Sequence, residues 1–139
     1  MIQKILGETK SIAVVGFSSN QHRAGYYVPA YLQRAGYRIL PVNPNLDQAL
    51  SGTAFPDLIS IKDAVDLVLV FRRPENIPAI VDEAITIGAK AVWMQLGIVN
   101  ESAAQKARAA GLDVVMDACM MVEHRRSGTS TANGETSVH

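Results

Sequence analysis

The run Ser11-Ile12-Ala13-Val14-Val15-Gly16-Phe17-Ser18-Ser19-Asn20 decides how this chain is read. Its first half is apolar and β-branched, its second half is a small, hydroxyl-rich turn, and a helical pattern follows. In an α/β protein such a junction holds phosphate, because the turn aims backbone N–H groups and the positive end of the next helix at a bound anion. The competing reading of one glycine after a strand is an ordinary strand-to-helix turn. Position after the first strand, two consecutive serines and the nearby Arg23 favour the phosphate site. The dinucleotide fingerprint G-x-G-x-x-G is absent, since no glycine follows Gly16 until Gly25. The loop therefore departs from the usual NAD recipe.

Working outward, four more apolar runs at residues 37–42, 65–71, 91–96 and 113–116 repeat the character of residues 11–16. Continuous rather than alternating apolar runs mark parallel strands buried on both faces. Helical patterns lie between most of them. Residues 26–35 place Tyr27, Ala30, Tyr31 and Arg34 at helical spacing and stop at Gly36. Residues 77–87 do so with Ile77, Ile80, Val81, Ala84 and Ile85, with Asn76 as N-cap, Pro78 in the first turn and Gly88 as the stop. Residues 101–110 are Ala-rich, capped by Asn100 and closed by Gly111. Between Pro44 and Lys62 the pattern is broken by Pro44, Gly52 and Pro56, which predicts a short helix and an irregular connection. The alternation, with right-handed crossovers, predicts a doubly wound α/β fold: a five-stranded parallel, Rossmann-like sheet in the order 3-2-1-4-5. That order sets the switch point between the first and fourth strands, with ligand over Gly16, Phe17, Ser18 and Ser19.

A chain of 139 residues, 48% hydrophobic, suits one domain with a real core, here residues 1–126. Residues 127–139 are polar and small apart from Val138, so they are expected to form a disordered tail. Thirteen basic residues balance thirteen acidic ones, so no global field points to nucleic acid or membrane, and anion binding must come from local geometry. The single Cys119 excludes an intrachain disulfide and a Cys-based zinc site. No basic leader and no long apolar span occurs, which makes a soluble cytoplasmic protein the expectation.

The strand ends supply the other candidates. The second strand closes on Val42-Asn43-Pro44 rather than on the acidic residue that binds ribose hydroxyls in NAD sites. Asn43 is suited to an adenine or ribose edge, and equally to a strand-ending turn. Phe71-Arg72-Arg73-Pro74 ends the third strand, and guanidiniums beside an aromatic ring suit a phosphate or a base; a solvated helix entry is the rival reading, stronger for Arg73. After the fourth strand Trp93 reads as core, whereas Gln95 and Gly97 offer a polar amide and a permissive backbone. Cys119 reads as a small buried residue and His124 as a surface residue on a terminal helix. With no metalloprotease, nucleophile-elbow or Walker pattern, nothing assembles base, nucleophile and anion hole, and the chain reads as a binder rather than an enzyme, with no metal site.

Several blocks together resemble a known family. They are Val14-Val15-Gly16-Phe17-Ser18, Tyr26-Tyr27-Val28, Pro41-Val42-Asn43-Pro44, Val70-Phe71-Arg72-Arg73-Pro74 and Trp93-Met94-Gln95-Leu96-Gly97, with Val114-Val115-Met116-Asp117 and Cys119 beyond. In this order and at these intervals they resemble the small single-domain CoA-binding proteins, Rossmann-type domains similar to the N-terminal domain of the succinyl-CoA synthetase alpha subunit. The resemblance spans residues 5–126. It implies coenzyme A or an acyl-CoA as ligand, its pyrophosphate at Gly16, Phe17, Ser18 and Ser19 beside Arg23 and Tyr26. It places the adenosine side at Val42, Asn43 and Pro44, and lines the remainder with Phe71, Arg72, Gln95 and Gly97. Where the family commonly carries Arg-Pro-Ser-Tyr, this chain has Arg23-Ala24-Gly25-Tyr26. The second domain and further subunit of acyl-CoA synthetases do not fit within this length, which argues against ligase activity by this chain alone. The rival readings are an NAD(P)-dependent oxidoreductase domain and an interaction protein that keeps the fold without the ligand.

Overall fold

The computed structural model describes residues 1–128 of the chain. Helix α1 (Ile2–Glu8) leads into β1 (Ser11–Val15), α2 (Ala24–Arg34) and β2 (Arg38–Val42). A small antiparallel hairpin, β3 (Gln48–Ala49) and β4 (Gly52–Thr53), interrupts the alternation before β5 (Leu67–Val70). A 3-10 turn over Pro74–Asn76 then opens α3 (Ile77–Thr86), followed by β6 (Ala91–Met94), α4 (Glu101–Ala109), β7 (Asp113–Val115) and α5 (Met120–Ser127). The five long strands form one parallel sheet, so the doubly wound α/β class expected from the apolar runs is correct.

The strand order is not 3-2-1-4-5. It is β2-β1-β5-β6-β7, which is 2-1-3-4-5 among the long strands. β5 pairs with β1 in the register Ile12↔Leu67 to Val15↔Val70, so β2 is an outer strand of the main sheet. The reason lies in Pro41: a proline cannot donate to a ladder and is confined to edge strands, whereas 3-2-1-4-5 would have put it in the interior. Beyond β2, Pro41 is used only through its carbonyl, which accepts from the Phe55 N–H at 2.8 Å. The chain therefore reverses direction between β1 and β5, and the switch point moves there from the first-to-fourth strand gap.

Both faces of the sheet are covered, as the unbroken apolar runs require. On one face Ile12, Val14, Leu67, Leu69 and Trp93 pack with α1, α2 and α5 through Leu6, Val28, Leu32 and Met120. On the other, Ala13, Val15, Val68, Val70 and Val92 pack with α3 and α4 through Ile77, Val81, Ala84 and Ala104, and with Leu58 and Ile61 from the long connection. Among the described residues no helix is long and apolar enough to cross a membrane.

Several local expectations change. The short helix expected between Pro44 and Lys62 is the β3–β4 hairpin. Its two turn residues, Leu50 and Ser51, both adopt positive φ (51° and 66°). Hairpins of this kind normally announce themselves with Asn-Gly or Asp-Gly, and here the pair is Leu-Ser, with no glycine, asparagine or aspartate to favour positive φ. Asn76 stands before α3 but makes no side-chain cap, because the 3-10 turn already gives it helical backbone angles. Asn100 caps α4 as expected, its Oδ1 accepting from the Ala103 N–H at 3.0 Å. His124 is buried rather than exposed, with Nδ1 2.8 Å from the Tyr31 hydroxyl and its ring edge-on to Tyr31 and Tyr37. Cys119 is half-buried at the entry to α5 rather than fully enclosed. The expected tail at 127–139 lies outside the described residues except for Ser127, which ends α5, and Gly128 at its C-cap.

Candidate functional site

At the switch point the C-terminal ends of β1, β2 and β5 open into a crevice of about 560 Å³, within the range of small-ligand sites. Gly16 is the pivot of its floor. Its N–H donates to the Val42 carbonyl at 3.3 Å, and the Phe71 N–H donates to the Val15 carbonyl at 2.9 Å, so the three strand ends are laced together here. At φ +85° Gly16 adopts a backbone that a side chain rarely tolerates. A Cβ on it would lie 2.7 Å from the Phe71 carbonyl oxygen and 3.0 Å from Arg72 Cδ. Close approach of two chain segments requires glycine at this position.

Beyond Gly16 the loop folds onto the start of α2. The Ser18 N–H donates to the Gly25 carbonyl at 3.1 Å, and Ser18 Oγ accepts from the Asn20 N–H at 3.1 Å. A Cβ at position 25 would stand 3.0 Å from the Gly16 carbonyl, so glycine at position 25 lets helix and loop touch. The N-terminus of α2 has neither a side-chain cap nor an acidic residue in its first turn. Its positive end is left uncompensated, which is the electrostatic condition for an anion.

Seven of the thirteen expected site residues line the crevice together: Gly16, Phe17, Val42, Asn43, Pro44, Phe71 and Arg72. Asn43 does more than end a strand. Its Nδ2 donates to the Phe17 carbonyl at 2.8 Å while its Oδ1 accepts from the Asn45 N–H at 2.8 Å, so it clasps the loop after β1 to the end of β2. Arg72 is exposed, and among the described residues it has no carboxylate partner. Ser18, Ser19, Arg23 and Tyr26 lie along the loop and the first turn of α2, outside the crevice lining; the Tyr26 ring tilts against Phe17 at a centroid distance of 5.8 Å.

Gln95 and Gly97 stand apart from the crevice. Gln95 is buried, and its Oε1 accepts from the Met120 N–H at 3.3 Å. The Gly97 N–H donates to Asp117 Oδ1 at 2.7 Å, tying the loop after β6 to the loop after β7. The opposite wall was not read from the sequence. It includes Asp57 and Leu58 from the long connection, Asn76 at the end of the 3-10 turn, and Ala79, Ile80 and Glu83 from α3. The spacing 76, 79, 80 and 83 is itself a helical face. The sequence masks it because the neighbouring stripe of Ile77, Ile80, Val81 and Ala84 accounts for the burial of that helix.

The fold and this crevice define the class: a doubly wound α/β domain with a crevice at its switch point. A family model for the CoA binding domain matches residues 10–125, and the chain belongs to that family. Over 123 residues it is 42% identical to Uncharacterized protein YneT of Bacillus subtilis (strain 168), covering 88% of this chain and 91% of that one. The solved "hypothetical protein from Pyrococcus horikoshii OT3" superposes with a TM-score of 0.87 at 39% identity, over 90% of this chain and 88% of that one. Over 95 residues the chain is 32% identical to the ADP-forming acetate–CoA ligase II of Archaeoglobus fulgidus. That match takes in 66% of this chain and 14% of the ligase.

Proposed function

We propose that this chain binds coenzyme A or an acyl-CoA at the switch-point crevice, as a binding module without chemistry of its own. The observation that carries the reading is the meeting of Gly16 with Phe71 and Arg72 beside the uncapped start of α2. The uncapped helix start offers backbone N–H groups to a diphosphate, with the Arg72 guanidinium, which has no carboxylate partner among the described residues, on the same side of the crevice. In this reading Gly16, Phe17, Ser18, Ser19 and Arg23 hold the pyrophosphate, and Val42, Asn43 and Pro44 border the adenosine. Membership of the CoA-binding family and the match to part of an acetate–CoA ligase support the choice of ligand.

Thermal unfolding with CoA, NAD and ATP at equal concentration tests the reading, because stabilisation follows ligand concentration over Kd. CoA is expected to raise the unfolding temperature most. An equal or larger shift with NAD would overturn the assignment.

A further inference from the structure

The crevice has a charge pattern that bears on how the ligand's ribose is received. Its lining includes one cation, Arg72, and two carboxylates, Asp57 and Glu83. They belong to different walls. Arg72 reaches toward Gly16 on the loop side. Asp57 and Glu83 lie on the other, where Glu83 Oε1 accepts from the N–H of Leu58, the residue after Asp57, at 3.2 Å. Asp57 is held in its ionised form: Ser60 donates to Oδ1 from its hydroxyl at 2.6 Å and its N–H at 2.8 Å, which keeps the carboxyl below its ordinary range.

Ionised carboxylates accept hydrogen bonds and donate none, so they suit sugar hydroxyls. A phosphate monoester in the same place brings roughly −1.5 to −2 charges toward two like charges, with no lysine and no second arginine in the lining to offset them. This argument rests on the proposed CoA-type ligand with its adenosine toward the end of β2. From it we infer that the Asp57–Glu83 wall selects a ribose with free hydroxyls, so that dephospho-CoA is preferred over CoA bearing the 3′-phosphate.

Calorimetric titration of both ligands into the full chain, at low and high ionic strength, tests this. Dephospho-CoA is expected to bind tighter by about threefold or more at low salt, with the gap narrowing as salt screens the repulsion. Glu83→Gln and Asp57→Asn keep the oxygens that accept from Leu58 and Ser60 and remove only charge; the double variant should bring the two affinities level. Equal or tighter CoA binding by the wild type, or a gap that the double variant leaves unchanged, overturns the inference while CoA-type binding stands. If neither ligand binds, the inference and the proposed function fall together.

Discussion

Gly16 and Gly97 share a left-handed backbone, φ +85° and +84°, but only Gly16 has neighbours where a side chain would go. Alanine at either position incurs the left-handed penalty of about 1–2 kcal/mol. At Gly16 it also meets the Phe71 carbonyl. Gly16→Ala should therefore destabilise by about 2–3 kcal/mol, clearly more than Gly97→Ala, in denaturant unfolding. Equal losses would show that the contact with Phe71 yields easily. Arg72 makes the opposite case, since it is exposed and contributes little to the fold. Arg72→Ala should leave the unfolding midpoint unchanged yet weaken CoA binding by roughly 1.5–3 kcal/mol, the range for hydrogen bonds to charged groups, and its affinity should fall less steeply with salt than that of the wild type. A stability loss instead would make it a structural residue. Asn43 marks the limit of reading at this scale: its place at a strand end is visible in the chain, but its clasp on the Phe17 carbonyl depends on a partner 26 positions away.

Among the elements, α5 is the one least visible as a pattern and most dependent on single polar contacts. Gln95 takes the Met120 N–H, and Trp93 Nε1 donates to the Ala118 carbonyl at 2.8 Å, so the end of β6 holds the entry to α5 from two sides. Both were legible as residue types, Trp93 as core and Gln95 as a close polar group. That Gln95 faces a helix 25 positions away was not legible, because an amide suits a ligand or a backbone N–H equally. Gln95→Leu should cost about 1–3 kcal/mol by leaving the buried Met120 N–H unsatisfied. The accompanying readout is faster amide exchange in α5, with β1 and β5 unaffected. Unchanged exchange in α5 would show that Trp93 alone secures it.

Across the whole molecule, Tyr37 joins the N-terminal helix to the sheet: it is buried, and its hydroxyl donates to the Leu6 carbonyl at 2.7 Å. Burial, with a smaller push from Tyr31, raises the phenol well above its ordinary value. In the unfolded chain it ionises near pH 10, so above about that pH the folded state retains a proton that the unfolded state has lost. The stability from Tyr37 is thus complete below about pH 10 and is lost as pH rises beyond it. Unfolding midpoints should fall on that alkaline limb, and Tyr37→Phe should flatten the fall at a baseline cost of about 1 kcal/mol. A limb of the same slope in the variant would assign the loss to other groups. The sequence by itself determined the class and the number of long strands. Those follow from burial on both faces and from short-range backbone geometry, which local residue types specify. It also held, in Pro41, the sign that β2 is an edge strand. Only the tertiary structure decided that β5 lies beside β1, that Asp57 and Glu83 close the crevice, and that His124 is buried. Each depends on which distant segments share a boundary, and an apolar run pairs as readily on one side of a strand as on the other.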